Sequence, residues 1–262
     1  LGEIGSDEAG EIVGRGLSAE GVDTSHLALT PGAATPVAAV FVDDAGQPSY
    51  VGYPGTLRIR EVSPEWRTVV ETSEAVFADG WVEHERAAEM VVEILARARA
   101  RDVPTFFDPG PGNPSLDNGW HERALAETRV ALVNEAEASR LTGLADPLEA
   151  ARHLLNLGPG LVILKRGREG CVALQRGEIH VSPGIPVATV DTTGAGDSVA
   201  AAVIYGFLHD LSLADLADLA NATGAAKVQK AGTGRNMPTL EEIRAVLRAA
   251  GRDPQSLLPT SV

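Results

Sequence analysis

Residues 191–197 read Asp-Thr-Thr-Gly-Ala-Gly-Asp, set between an apolar run at 185–190 and an apolar-periodic stretch at 198–208. The order is strand, glycine turn, helix, with a carboxylate in the first helical turn. Two glycines flanking Ala195 let the backbone pass close to a bulky anion. The first amides of a helix lack intrahelical acceptors and carry the positive end of its dipole. The turn therefore reads as a phosphate cradle with Gly194, Ala195 and Gly196 as amide donors. A carboxylate repels bound phosphate, so Asp197 suits a different task, taking a proton from an attacking hydroxyl. The competing reading is a plain βα turn whose N-terminal Asp is favoured by the dipole. Bulk at Gly196 is expected to do harm by intrusion and through any positive φ.

Asn134 and Glu137 follow an apolar run at 130–133. Three residues apart in a beginning helix, they share a face and can present a carbonyl and a carboxylate to the hydration shell of a magnesium ion. The alternative is a cap at Asn134 completed by Glu137 as a box. Lys165 ends the run 161–164, and Gly167 and Gly170 follow it. That puts a cation and flexible backbone at the carboxyl edge of a sheet, where open α/β folds bind ligands, and we assign 165–170 to a nucleotide. A solvated charged turn is the other reading. Asp79-Gly80-Trp81 offers a carboxylate and a ring to an acceptor wall, unless Trp81 is core, and Asp108-Pro109-Gly110 reads as a turn.

These residues need a scaffold. Strand-like runs at 75–78, 104–107, 130–133 and 161–164 alternate with helical patterns, which is the rhythm of a mostly parallel sheet covered on both faces. Ala87, Val91, Ile94, Leu95 and Ala98 make 83–100 an amphipathic crossover helix. Asp146-Pro147 starts another, ended by Gly158, and Thr239 with Glu242 forms a capping box for the last. Residues 35–53 break the rhythm. The runs 37–42 and 49–53, joined by Asp43-Asp44-Ala45-Gly46-Gln47-Pro48, read as a hairpin inserted into the α/β scaffold. Its apolar face could pair with a second copy in a homodimer.

With 262 residues, 44% of them hydrophobic, the chain can bury one sizeable core. The net charge of −14, from 22 basic and 36 acidic side chains, disfavours nucleic acid or an anionic membrane as partner. Cys171 is the single cysteine, so no intramolecular disulfide can form. No apolar run is long enough to span a bilayer and no signal peptide is visible, from which a cytoplasmic protein is expected.

Asp-Thr-Thr-Gly-Ala-Gly-Asp resembles the C-terminal signature of the ribokinase-like, phosphofructokinase-B carbohydrate kinases. The segments at 1–10, 132–143, 161–171 and 219–238 are similar to other parts of that family in the expected order. The resemblance implies a three-layer α/β/α fold, with 1–34 and 58–262 as core and 35–57 as a small β lid that closes over a sugar and excludes water. It implies ATP-dependent phosphorylation of a hydroxyl of a sugar or sugar derivative, with magnesium. A nucleoside kinase of the same fold and a sensor without turnover are the rival readings. It further implies Asn221 beside adenine. A monovalent cation, potassium for example, is implied beside the anion hole at Asp191, Thr193, Lys227, Lys230, Gly232 and Asn236, largely through carbonyls at the later positions, with both ammonium groups turned away. The family's first strand, its substrate-binding Asp and a Gly-Gly-x-x-x-Asn segment are not found in these residues, so we read the sequence as part of a longer protein.

Overall fold

A strand packed under helices on both sides cannot alternate apolar with polar, and the uninterrupted runs of this chain form such strands. In the computed structural model, which describes residues 1–44, 46–58, 61–116 and 119–258, the strands are β1 (Gly2–Gly5), β2 (Leu27–Thr30), β3 (Val37–Val42), β4 (Pro48–Tyr53) and β5 (Val76–Asp79). They continue with β6 (Thr105–Asp108), β7 (Val130–Asn134), β8 (Leu161–Lys165), β9 (Gly170–Gln175) and β10 (Glu178–Pro183). The helices are α1 (Glu8–Ala19), α2 (Pro64–Thr72), α3 (Glu85–Arg99), α4 (Trp120–Ala126) and α5 (Glu135–Thr142), followed by α6 (Pro147–Leu154), α7 (Ala195–Leu208), α8 (Leu213–Lys227) and α9 (Leu240–Ala249).

The main sheet has the order β10-β9-β8-β7-β6-β5, parallel from β5 to β8 and antiparallel at β9 and β10. Successive side chains leave it on opposite faces. Phe107, Ala131, Val133, Val162, Leu164 and Leu174 pack with Leu95, Trp120, Leu125 and Leu154 from one helical layer. Phe106, Val130, Leu132, Ile163 and Ala173 pack with Val199, Val203, Leu216 and Ala220 from the other. The result is the three-layer α/β/α fold. Truncating Phe107, fully buried, to Ala should cost about 3–5 kcal/mol.

Two short sheets stand apart: β1 pairs in parallel with β2, and β3 pairs with β4 in an antiparallel register from Val37↔Tyr53 to Val42↔Pro48. Every residue of β3 is exposed. The turn between β3 and β4 is fixed by Asp43, whose Oδ1 accepts from the Gln47 amide at 2.8 Å; Ala45 lies outside the described residues.

Three expectations change. Residues 185–190 form no strand: Pro186 lacks a donor, and the amides of Val190 and Asp191 bond the Val228 carbonyl instead of a sheet edge. The helix that Asp146-Pro147 starts, α6, stops at Leu154, and 155–157 turn before Gly158, whose φ is 150°. The nucleotide-side turn at 166–169 joins the parallel strand β8 to the antiparallel strand β9, a reversal of strand direction that spacing alone did not reveal. Among the described residues no helix is long and apolar enough to cross a membrane.

Candidate active site

Four neighbouring parallel strands end in polar residues: Asp79, Asp108, Asn134 and Lys165. Asp79 is level with Asp108, and Asn134 with Lys165, so one sheet edge gathers them. Lys165 Nζ donates to Asp108 Oδ2 at 2.6 Å and lies 3.9 Å from Glu137 Oε2. Asp108 is thus more than a turn residue, although its Oδ1 also accepts from the Gly110 amide. Asn134 Oδ1 accepts from the Glu137 amide at 2.8 Å and Glu137 Oε2 accepts from the Asn134 amide at 2.7 Å, a complete capping box. The cap forms, and it places the Glu137 carboxyl next to Lys165.

Asp197 stands in the first turn of α7 and keeps access to solvent. The protein around it desolvates its carboxyl in part and Asp108 repels it, so its pKa is raised above the usual carboxylate value although Lys165 opposes. Burial raises Glu137 against the pull of Lys165, and partial desolvation raises Asp79, which keeps access to solvent and is repelled by Asp108 and Asp197.

Gly194 caps α7 with φ 78° and ψ 3°, the left-handed region that favours glycine. Gly196 lies inside the helix with ordinary φ, and a Cβ there would meet only Lys165 Nζ, at 3.6 Å. The conformational demand therefore sits on Gly194, and Gly196 serves by leaving space beside an ammonium group. The Ala195 amide bonds the Thr192 carbonyl at 3.1 Å. Among the described residues the amides of Gly194, Gly196 and Asp197 have no acceptor, so the free donors differ by one from those expected.

A cleft of about 380 Å³ opens beside this turn, lined by Lys165, Gly170, Gly184, Val187, Asn221 and Ala225 among others. A Cβ on Gly170 would collide with the Ser182 carbonyl, and one on Gly184 with the Arg168 carbonyl. These glycines let the β8–β9 turn close on the segment after β10; Gly184 carried no sequence signal, because its need comes from a chain remote in sequence. Asn221 lines the cleft, but its amide nitrogen already donates to Ser182 Oγ (3.0 Å) and the Pro183 carbonyl (2.8 Å).

Asp191, Thr193 and Gly232 meet beneath the turn: Asp191 Oδ1 accepts from the Thr193 amide and hydroxyl, and Oδ2 from the Gly232 amide. Burial alone would raise Asp191, yet these bonds hold its pKa below the ordinary value. The Asn236 side chain is exposed and turned to the Ala231 carbonyl. Lys230 points to the Met237 carbonyl and Glu242, away from Asp191, whereas Lys227 is buried beside it.

Residues 1–240 match the profile of the pfkB family carbohydrate kinases. The chain belongs to that family. As a pfkB carbohydrate kinase it is an enzyme that phosphorylates a sugar. It is 30% identical to a ribokinase of Mus musculus, over 94% of this chain and 77% of that one. It is 27% identical to a 2-dehydro-3-deoxygluconokinase of Thermoproteus tenax, over 95% and 79%. The structure of Arabidopsis thaliana ribokinase complexed with ribose and ATP superposes with a TM-score of 0.82 at 24% identity, over 95% of this chain and 81% of that one.

The pfkB kinase also carries features that no local pattern announced. Thr192 donates its amide and hydroxyl to the carbonyl of Gly46 at the hairpin tip. Trp81 is 62% exposed and meets Tyr50 of β4 edge-on at 5.8 Å, so it belongs to the surface and not to the core. The carboxylates of Asp79, Asp108, Glu137 and Asp197 act on one another around one ammonium group, that of Lys165. This excess of negative charge fits a divalent cation. Among the described residues no three acidic, His or Cys side chains form a metal cage.

Proposed function

We propose that this chain transfers the terminal phosphoryl group of ATP to a hydroxyl of a small sugar or sugar derivative, with Asp197 as the base. The observation that carries this reading is the pairing of Asp197 with unengaged amides at one helix start, opposite the Lys165 ammonium. Asp197 accepts the hydroxyl proton as the oxygen attacks phosphorus, and the amides of Gly194, Gly196 and Asp197 donate to the phosphoryl oxygens as charge spreads over them. Lys165 adds a positive charge on the nucleotide side. Its hydrogen bond to Asp108 and its charge contact with Glu137 fix its position, so little ordering remains when phosphate arrives. The cleft between Gly170, Val187, Asn221 and Ala225 takes the base of the nucleotide.

Glu137, through water, is the residue to hold magnesium, which when bound would neutralise phosphate charge. Asp79 and Asp108 supply acceptors for sugar hydroxyls, Trp81 and Tyr50 an apolar wall, and the β3–β4 hairpin a cover against water. The exposed Val37, Phe41, Val51 and Tyr53, which share one face of that hairpin, are the surface through which two copies pair. Cys171 is buried and its thiol is pushed up to about 12 by desolvation, which fits an inert core residue in a cytoplasmic protein.

A nucleoside as acceptor has one observation in its favour: the Tyr50–Trp81 pair could stack a base. The structure of Burkholderia thailandensis nucleoside kinase in complex with inosine superposes with a TM-score of 0.77 at 22% identity, over 97% of this chain and 82% of that one. A coupled ADP-release assay over pentoses, hexoses, sugar acids and nucleosides tests both. Magnesium-dependent turnover on a sugar that is abolished in Asp197→Asn supports the proposal; turnover on nucleosides alone replaces it, and sugar binding with no turnover sinks it.

A further inference from the structure

Lys227 has no solvent exposure at all. A buried ammonium group must find acceptors and an opposing charge, or folding is penalised by its desolvation. This one has the Lys230 carbonyl as acceptor and Asp191 as the opposing charge nearby, directly under the phosphate turn, and its desolvation outweighs that attraction and lowers its pKa. It ends α8, and its side chain runs beneath Gly194, where an added Cβ would stand 3.4 Å from Lys227 Cε. Its Nζ donates to the Lys230 carbonyl at 3.1 Å, while the Lys230 amide bonds the Lys227 carbonyl at 3.0 Å. The buried carboxylate of Asp191 attracts it.

The six positions that the family resemblance assigns to a monovalent cation therefore do not form an ion cage in this chain. The Lys227 carbonyl is engaged by the Lys230 amide, and the Lys230 carbonyl by the Lys227 ammonium. A free cation held beside the ammonium would be repelled by it in a partly desolvated space. Potassium does not fit beside Lys227.

We propose that the Lys227 ammonium is itself the cation of this site. Covalently tethered, it supplies the positive charge that balances Asp191 and holds the 191–194 segment under the phosphoryl group, so that turnover needs no potassium. Lys227 acts through Asp191 and the turn, and is a positioning residue. The inference rests on the kinase reading above for its effect on rate, but not for its effect on ion binding.

Two measurements test it. Initial rates of the unaltered chain in potassium chloride and in tetramethylammonium chloride of equal ionic strength should agree within about twofold; activation by potassium of about tenfold or more would overturn the proposal. Lys227→Met, close in volume and uncharged, should lose about tenfold or more in kcat in tetramethylammonium and recover part of it in potassium or ammonium salts. A variant as fast as the unaltered chain in tetramethylammonium counts against the idea. Melting temperatures in the two salts read ion binding without turnover. They should coincide for the unaltered chain and rise with potassium for Lys227→Met, and a potassium-dependent rise in the unaltered chain would defeat the proposal. Should Lys227→Met fail to fold, the two measurements on the unaltered chain decide. If no acceptor is phosphorylated in any salt, the kinase reading fails by itself and the melting comparison still judges Lys227.

Discussion

Thr192 donates its amide hydrogen and its hydroxyl hydrogen to one acceptor, the carbonyl of Gly46, at 3.0 and 2.9 Å. The residues are 146 positions apart, and the bond ties the hairpin tip to the turn that presents the free amides. Gly46 has φ 76° and packs against Thr189 and Val190, so the tip is seated on the signature segment. Thr192→Val keeps the shape and removes one of the two bonds, a net loss of roughly 0.5–1.5 kcal/mol. We expect kcat/KM for the sugar to fall by up to about tenfold, with little change in ATP affinity by calorimetric titration. An equal loss in ATP affinity would mean that the contact shapes the nucleotide cleft instead.

Asp197→Asn removes the proton acceptor while keeping the size of the group. The expected fall in kcat is about 10²–10⁴-fold, measured by the coupled ADP assay, with ATP binding retained. Because a base works deprotonated, the rate of the unaltered enzyme should rise with pH through a carboxyl pKa displaced above the usual range, and this limb should vanish in the variant. A limb at the pKa of an ordinary aspartate would argue that the rate reports another group.

Asp79, Glu137 and Asp197 all have raised pKa values in the folded state. Between the ordinary and the raised values the folded chain binds more protons than the unfolded one, so stability falls as pH rises through that window. Above it all three are charged and their mutual cost is constant. Asp197→Asn should therefore melt higher than the unaltered chain at pH 8, with the difference shrinking toward pH 4. A lower Tm for the variant at pH 8 would show that the carboxylate is compensated in a way the surrounding charges do not reveal.

Gly194→Ala and Gly196→Ala should part company. The first forces a left-handed conformation on a residue with a Cβ, costing roughly 1–2 kcal/mol, which corresponds to a fall in Tm of about 2–8 °C. The second has ordinary φ and one near neighbour, Lys165 Nζ at 3.6 Å. It should fold as well as the unaltered chain or better, since alanine is the stronger helix former by about 1 kcal/mol, yet turn over more slowly because its methyl group enters the phosphate space. Calorimetric melts and kcat values on both variants check this, and a normal kcat for Gly196→Ala would remove the phosphate from that position.

Lys165→Met leaves Asp108 without its partner. Breaking a fully buried pair costs several kcal/mol, and because this one borders an open cleft we expect about 1–3 kcal/mol in urea titrations. ATP affinity should fall by about tenfold or more if the ammonium meets phosphate. Unchanged affinity would limit Lys165 to holding the strand ends together.

The sequence by itself determined the layered α/β class, because unbroken aliphatic runs such as 130–133 and 161–164 are tolerable only under helices on both faces. It also determined the local devices whose partners are a few residues away: the Asp146-Pro147 helix start, the Thr239–Glu242 box and the placement of Asp197 in a first helical turn. The hairpin was legible for the same reason, since its turn residues lie together. Tertiary structure alone decided the rest. The ion pair between Asp108 and Lys165 spans 57 residues, and the glycine requirement at Gly184 comes from the Arg168 carbonyl. The Ala195 amide proved committed to Thr192, and Lys227, a charged residue on a helix end, proved to be wholly buried. Periodicity reports which side of an element faces inward, but which charges meet depends on how distant segments cross, and no local pattern encodes that crossing.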